Sequence, residues 1–118
     1  MEYQNKLALI IAYYLSKYDE KAYMSMGDAN KTQTHLRVGH ILGVKASTIK
    51  NMRDEFDSIH DNTRSGWHQR PLRPSRSIII ENFSDYNEED LFEVVNHIMK
   101  IKNYKYFEKI KRVINLIS

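Results

Sequence analysis

The chain has 118 residues, five histidines, no cysteine and a formal net charge of +3. That length supports one domain with its own core, without disulfides, and no apolar run reaches the roughly 20 residues of a membrane-spanning helix. The start Tyr3-Gln4-Asn5-Lys6-Leu7 is not a secretory signal, so a cytoplasmic protein with no membrane partner is expected.

Leu7, Ile10, Ile11, Tyr14, Leu15 and Tyr18 recur at helical spacing, which predicts a core helix from about Tyr3 to Lys17 with a wide apolar stripe. One or two further helical turns follow at Glu20 to Met26, closed by Gly27, and the next helix begins near Thr32. From Leu36 to Arg53 the pattern is two short helices around a glycine turn. Val38, Leu42, Val44, Ile49 and Met52 supply the apolar spacing that lets two crossing helices share a small core. Gly39 inside the first helix costs about 1 kcal/mol relative to alanine, which predicts close approach of the second helix there. Gly43 can take the positive φ that stops the first helix. The second helix, to about Phe56, then turns Ala46, Ser47, Lys50, Asn51 and Asp54 outward.

Between Asp57 and Arg76 the period is lost, and Gly66, Pro71 and Pro74 mark an extended or turning segment. Arg64, Arg70, Arg73 and Arg76 are interleaved there with proline and Trp67, which predicts a basic arm anchored by the tryptophan. Ile78-Ile79-Ile80 has strand character. Beyond it, Ser84 or Asn87 can cap a helix whose first turn carries Glu88, Glu89 and Asp90, where the helix dipole favours acids. Leu91, Val94, Val95, Ile98 and Ile101 form one face of that helix. Phe107, Ile110, Val113, Ile114 and Ile117 form one face of a last helix after Asn103, so the tail reads as a helical hairpin or one helix bent near Asn103. It either completes the monomer core or forms a two-fold interface.

Charge is distributed unevenly. His35 to Arg76 carries eight Lys or Arg against four acids, Ser77 to Met99 carries six acids and no Lys or Arg, and Lys100 onward carries six basic residues against Glu108. Basic surface therefore coincides with the paired helices and the arm, and the acidic block is not a surface for phosphates.

Leu42-Gly43-Val44-Lys45-Ala46-Ser47-Thr48-Ile49 resembles the helix-turn-helix of bacterial DNA-binding proteins, whose usual form is Leu-Gly-Val-Ser-x-x-Thr-Val. Lys45 departs from it, standing where a capping serine is usual, so the capping duty passes to Ser47 or to water. The match continues through Thr48 to Asp57 and Gly66-Trp67-His68-Gln69-Arg70-Pro71-Leu72-Arg73. With Ala12-Tyr13-Tyr14-Leu15 and Tyr18 to Tyr23, it is similar to N-terminal DNA-recognition domains of large bacterial restriction proteins, over roughly the first two thirds of the chain. No nuclease or ATPase region accompanies it in this chain.

The resemblance implies a mainly α fold with a helix-turn-helix core, an extended Arg/Pro arm with or without a small wing, and a C-terminal helical hairpin. Residues 1–83 would form the DNA-binding region and 84–118 the dimerising or core-completing element of the same compact domain. The expected function is non-catalytic binding of double-stranded DNA, with helix 46–56 in the major groove and arm 64–76 on phosphates or the minor groove. Lys50 and Asn51 suit base edges, while Thr48 and Arg53 suit phosphates. Lys45, Ser47, Arg64, His68, Arg70, Arg73 and Arg76 complete the expected contacts. Asp54 has three readings on that face: an acceptor for cytosine, a partner for Lys50, or the edge of the footprint. A homodimer is favoured because one such motif binds weakly alone. The alternative is a protein-interaction module reusing the fold, either a specificity subunit of a restriction or defence system or a phage- or plasmid-encoded antagonist of a defence enzyme.

Asp57, His60, Asp61 and His68 invite a metal or nuclease reading, but their spacing matches no zinc motif and no paired carboxylate with a nearby lysine accompanies them. No phosphate loop or nucleophile motif is present, so neither catalysis nor a cofactor is expected. His35, His40 and His97 fall on predicted helices and read as ordinary side chains.

Overall fold

The computed structural model describes residues 1–60, 72–100 and 106–117, with the His60 side chain left aside. Six helices are present among them: α1 (Tyr3–Met26), α2 (Lys31–Leu42), α3 (Ala46–His60), α4 (Pro74–Phe83), α5 (Glu88–Lys100) and α6 (Phe107–Leu116). The protein is mainly helical, and the described residues include no strand.

The centre of the molecule is the first half of α1. Ala8 to Leu15 are all buried, so this segment is covered on every side rather than along a stripe. It packs against α3 and α5, with α2, α4 and α6 completing its surroundings. Tyr13 meets Phe56 of α3 edge to face at 5.2 Å, and Tyr14 stacks on Phe92 of α5 at 6.0 Å. The expected break between Lys17 and Glu20 is a kink at Asp19, whose φ of 41° and ψ of −117° are non-helical. Gly27 closes the helix in the left-handed region, its N–H bonded to the carbonyl of Tyr23.

Asn30 caps α2 by accepting from the Gln33 N–H at 2.8 Å, which starts the helix one residue before the expected Thr32. Gly43 ends it with φ 71°, and residues 43–45 carry the chain into α3. The second half of the expected pattern is also in place. A Cβ on Gly39 would lie 2.4 Å from the Val44 carbonyl oxygen, so that glycine permits a backbone approach no side chain would allow. Val38, Leu42, Ile49 and Met52 are buried together with Phe56.

The next two expectations are corrected. Ile78 to Ile80 lie in α4, not a strand: Pro74 occupies the first helical turn, where its fixed φ suits a helix, and Ile79 and Phe83 bury one face four residues apart. The extended arm likewise ends before Pro74. Its earlier part, with Arg64, His68 and Arg70, any wing, and the Trp67 anchor, lies outside the described residues.

Asn87 caps α5 by accepting from the Asp90 N–H at 2.8 Å, with Glu88, Glu89 and Asp90 in the first turn. The junction near Asn103 lies outside the described residues. Helix α6 packs mainly on α4 and α1 rather than pairing chiefly with α5, which replaces the simple hairpin. Its Ile110, Val113 and Ile114 are buried, followed by Ile117. Phe107, expected on that face, is 46% exposed at the start of the helix, beside the His97 ring.

Candidate nucleic-acid interface

Burial of Ile49, Met52 and Phe56 against α1 and α2 fixes which side of α3 looks outward. Ser47, Lys50, Asn51, Asp54 and Ser58 are exposed and follow one another at three- and four-residue spacing, with exposed Lys45 just before the helix. Thr48 is half-buried at the edge of this face. The α3 N-terminus has no side-chain acceptor at Lys45, whose carbonyl accepts instead from the N–H groups of Thr48 and Ile49.

Two cations of α3, Lys50 and Arg53, are paired. Lys50 Nζ lies 3.1 Å from Asp54 Oδ2, one helical turn on, and Arg53 Nη2 donates to Asp54 Oδ1 at 2.8 Å. Burial pushes the Asp54 carboxyl up, but the hydrogen bonds from Arg53 and Lys50 outweigh it and hold it below the usual carboxylate range. Of the three sequence readings of Asp54, pairing with Lys50 is present in this structure.

Arg53 is not the open phosphate contact expected. Its side chain is only 15% exposed, and the guanidinium donates to Tyr23 Oη at 2.9 Å and lies 3.7 Å from Asp57. Tyr23 Oη, which accepts from Arg53, also shares a hydrogen bond with His35 Nε2 at 2.7 Å. Burial, reinforced by the Arg53 charge, lowers the His35 pKa and so disfavours its charged form. Asp57 in turn accepts from Ser16 Oγ of α1 at 2.6 Å. A chain of polar contacts thus ties α3 to α1 and α2 directly beneath the exposed face.

The two arginines of the arm that are described, Arg73 and Arg76, both bond Glu55. Arg76 is 2% exposed and grips Glu55 of α3 with two hydrogen bonds, Nε to Oε2 at 3.1 Å and Nη2 to Oε1 at 2.9 Å. Arg73, although 61% exposed along its side chain, donates to the same Oε1 at 2.6 Å. Arg76 is therefore corrected from a surface contact to a buried clamp, because a guanidinium in this position needs the Glu55 carboxylate. Burial raises the Glu55 pKa, and its bonds from Arg76 and Arg73 bring it below the usual value. The pairings of Glu55, Tyr23 and His35 were not read from the sequence, because no local spacing marks them.

On α2, Arg37 bonds Asp28 and the Met26 carbonyl, while Leu36 and Ile41 stay exposed at 50% and 42%. No group of three or more His, Asp or Glu among the described residues is placed to hold a metal, and none of their helices is long and apolar enough to cross a membrane. Comparison with protein-family models, with curated proteins and with solved structures returned no match.

Proposed function

We propose that this chain binds double-stranded DNA without catalysis, presenting α3 to the major groove as the second helix of a helix-turn-helix. The observation that carries the reading is the α2–α3 junction. Gly39 pressed on the Val44 carbonyl and left-handed Gly43 set α3 so that Ser47, Lys50 and Asn51 project from one exposed face with hydrogen-bonding groups suited to base edges. Arg73, together with Arg64, His68 and Arg70, would contact phosphates or the minor groove, and two copies would engage two half-sites.

A protein partner, such as a component of a defence system, is the second reading. It is favoured by the pairing of Lys50 and Arg53 with acids on α3, and by the exposure of Leu36 and Ile41 on neighbouring α2.

Two double variants test the DNA reading by affinity across sequences. Lys50→Ala with Asn51→Ala is expected to reduce discrimination between sequences. Arg70→Ala with Arg73→Ala is expected to weaken all sequences alike and flatten the salt dependence. Affinities equal to wild type in both would overturn the reading and move the target to protein.

A further inference from the structure

The Lys50 ammonium and the Asp54 carboxylate stand side by side on the exposed face of α3, a donor and an acceptor 3.1 Å apart. A G·C base pair presents the complementary order at its major-groove edge. Guanine O6 accepts, and beside it, a hydrogen-bond length or roughly 2.9 Å away, the cytosine N4 amine donates. We propose that Lys50 and Asp54 act as one unit that reads a single G·C base pair, Lys50 donating to guanine and Asp54 accepting from the cytosine amine. This rests on the DNA-binding reading of α3.

The hydrogen-bond inventory supports the pairing. Lys50 spends one of its three N–H groups on Asp54, which leaves two for guanine O6 and N7. Asp54 uses Oδ1 for Arg53, at 2.8 Å from Nη2 and 3.3 Å from Nε, and Oδ2 for Lys50, so Oδ2 retains a lone pair for the amine. Arg53 is itself held by Tyr23 beneath the helix, so the carboxylate is positioned before any ligand arrives.

The same geometry rejects the other pairs. Reversing the base pair sets guanine acceptors against the carboxylate, and an A·T pair sets thymine O4 there. A T·A pair keeps the acceptor-donor order, but the thymine methyl replaces the N7 acceptor on the lysine side, and adenine N7 turns a lone pair toward Asp54. A carboxylate lone pair set against a base acceptor also disfavours binding elsewhere, so Asp54 lends discrimination where a neutral residue would lend only affinity.

The test is selection from a randomised duplex library by the full chain, as wild type, Asp54→Asn and Lys50→Gln. The wild-type motif is expected to contain one strongly preferred G·C pair, and each variant to relax that same position about tenfold while leaving the other positions in place. Lys50→Gln leaves the Arg53 bond to Asp54 intact, so it carries the test if Asp54→Asn unfolds. An unchanged motif in both variants overturns the proposal, as does an even loss at all positions, which would mean that Asp54 only holds Arg53. A wild-type chain that binds no duplex overturns the DNA reading itself.

Discussion

Glu55 shows how one carboxylate decides the fate of two arginines. It joins α3 to the start of α4 through Arg73 and Arg76, and Arg76 has almost no access to water. Removing the acceptor leaves a buried guanidinium unpaired, so Glu55→Ala is expected to destabilise the fold by about 2–4 kcal/mol. Urea unfolding measures this, and a loss under half a kcal/mol would show that the clamp adds little. Asp54, its chain neighbour, is exposed, and its pairing with Lys50 was legible from four-residue spacing. The Glu55 pairings were not, because they span 18 and 21 residues and depend on where α4 begins.

Among the elements, the α2–α3 junction followed most directly from sequence, since its glycines answer to local geometry. Gly39 and Gly43 make opposite demands. At Gly39 a methyl group would strike the Val44 carbonyl, and at Gly43 it would meet open space but sit at φ 71°. Gly39→Ala is therefore expected to cost about 1–3 kcal/mol through displaced backbone, although alanine is the better helix former. Gly43→Ala should cost about 1 kcal/mol through backbone strain alone. Thermal unfolding of the two variants compares them, and the reverse order would mean that the turn has slack at Gly39. Helix α4 was misread because three consecutive isoleucines favour strands, while the signals that prevail, Pro74 in the first turn and the burial of Ile79 and Phe83, depend on packing against the rest of the chain. The helix expected to about Lys17 and the turns expected from Glu20 are one helix with a kink at Asp19, which no glycine marks despite its positive φ.

At the scale of the molecule, α1 gathers all the other helices around it, and polar groups trapped at their junctions make stability depend on pH. Burial lowers the pKa of both His35 and His97. The unfolded chain therefore takes up protons first as pH falls below about 6.5, and stability present above that value is lost on acidification. Asp28, held low chiefly by its hydrogen bond from Arg37, and Asp54 and Glu55, held low by their own arginine and lysine partners against burial, act in the same direction. Their contribution is present above the usual carboxylate range and is lost as pH falls through their lowered values. The melting temperature is expected to fall between pH 7 and pH 5 and again below about pH 4, with the first step reduced in His35→Gln. An unchanged first step would mean that His35 is not its source. The apolar pattern was sufficient to read a helical core on α1. The seating of α6 on α4 and α1 was not legible, because an apolar helix face does not specify which neighbour covers it.

The central claim, that the exposed face of α3 reads duplex DNA, is tested most directly by a fluorescence-anisotropy titration of the full chain with a randomised duplex pool at low and moderate salt. Binding that weakens at least about tenfold between roughly 50 and 200 mM salt is the predicted result, since each phosphate contact releases counterions. No binding at the lower salt would contradict it.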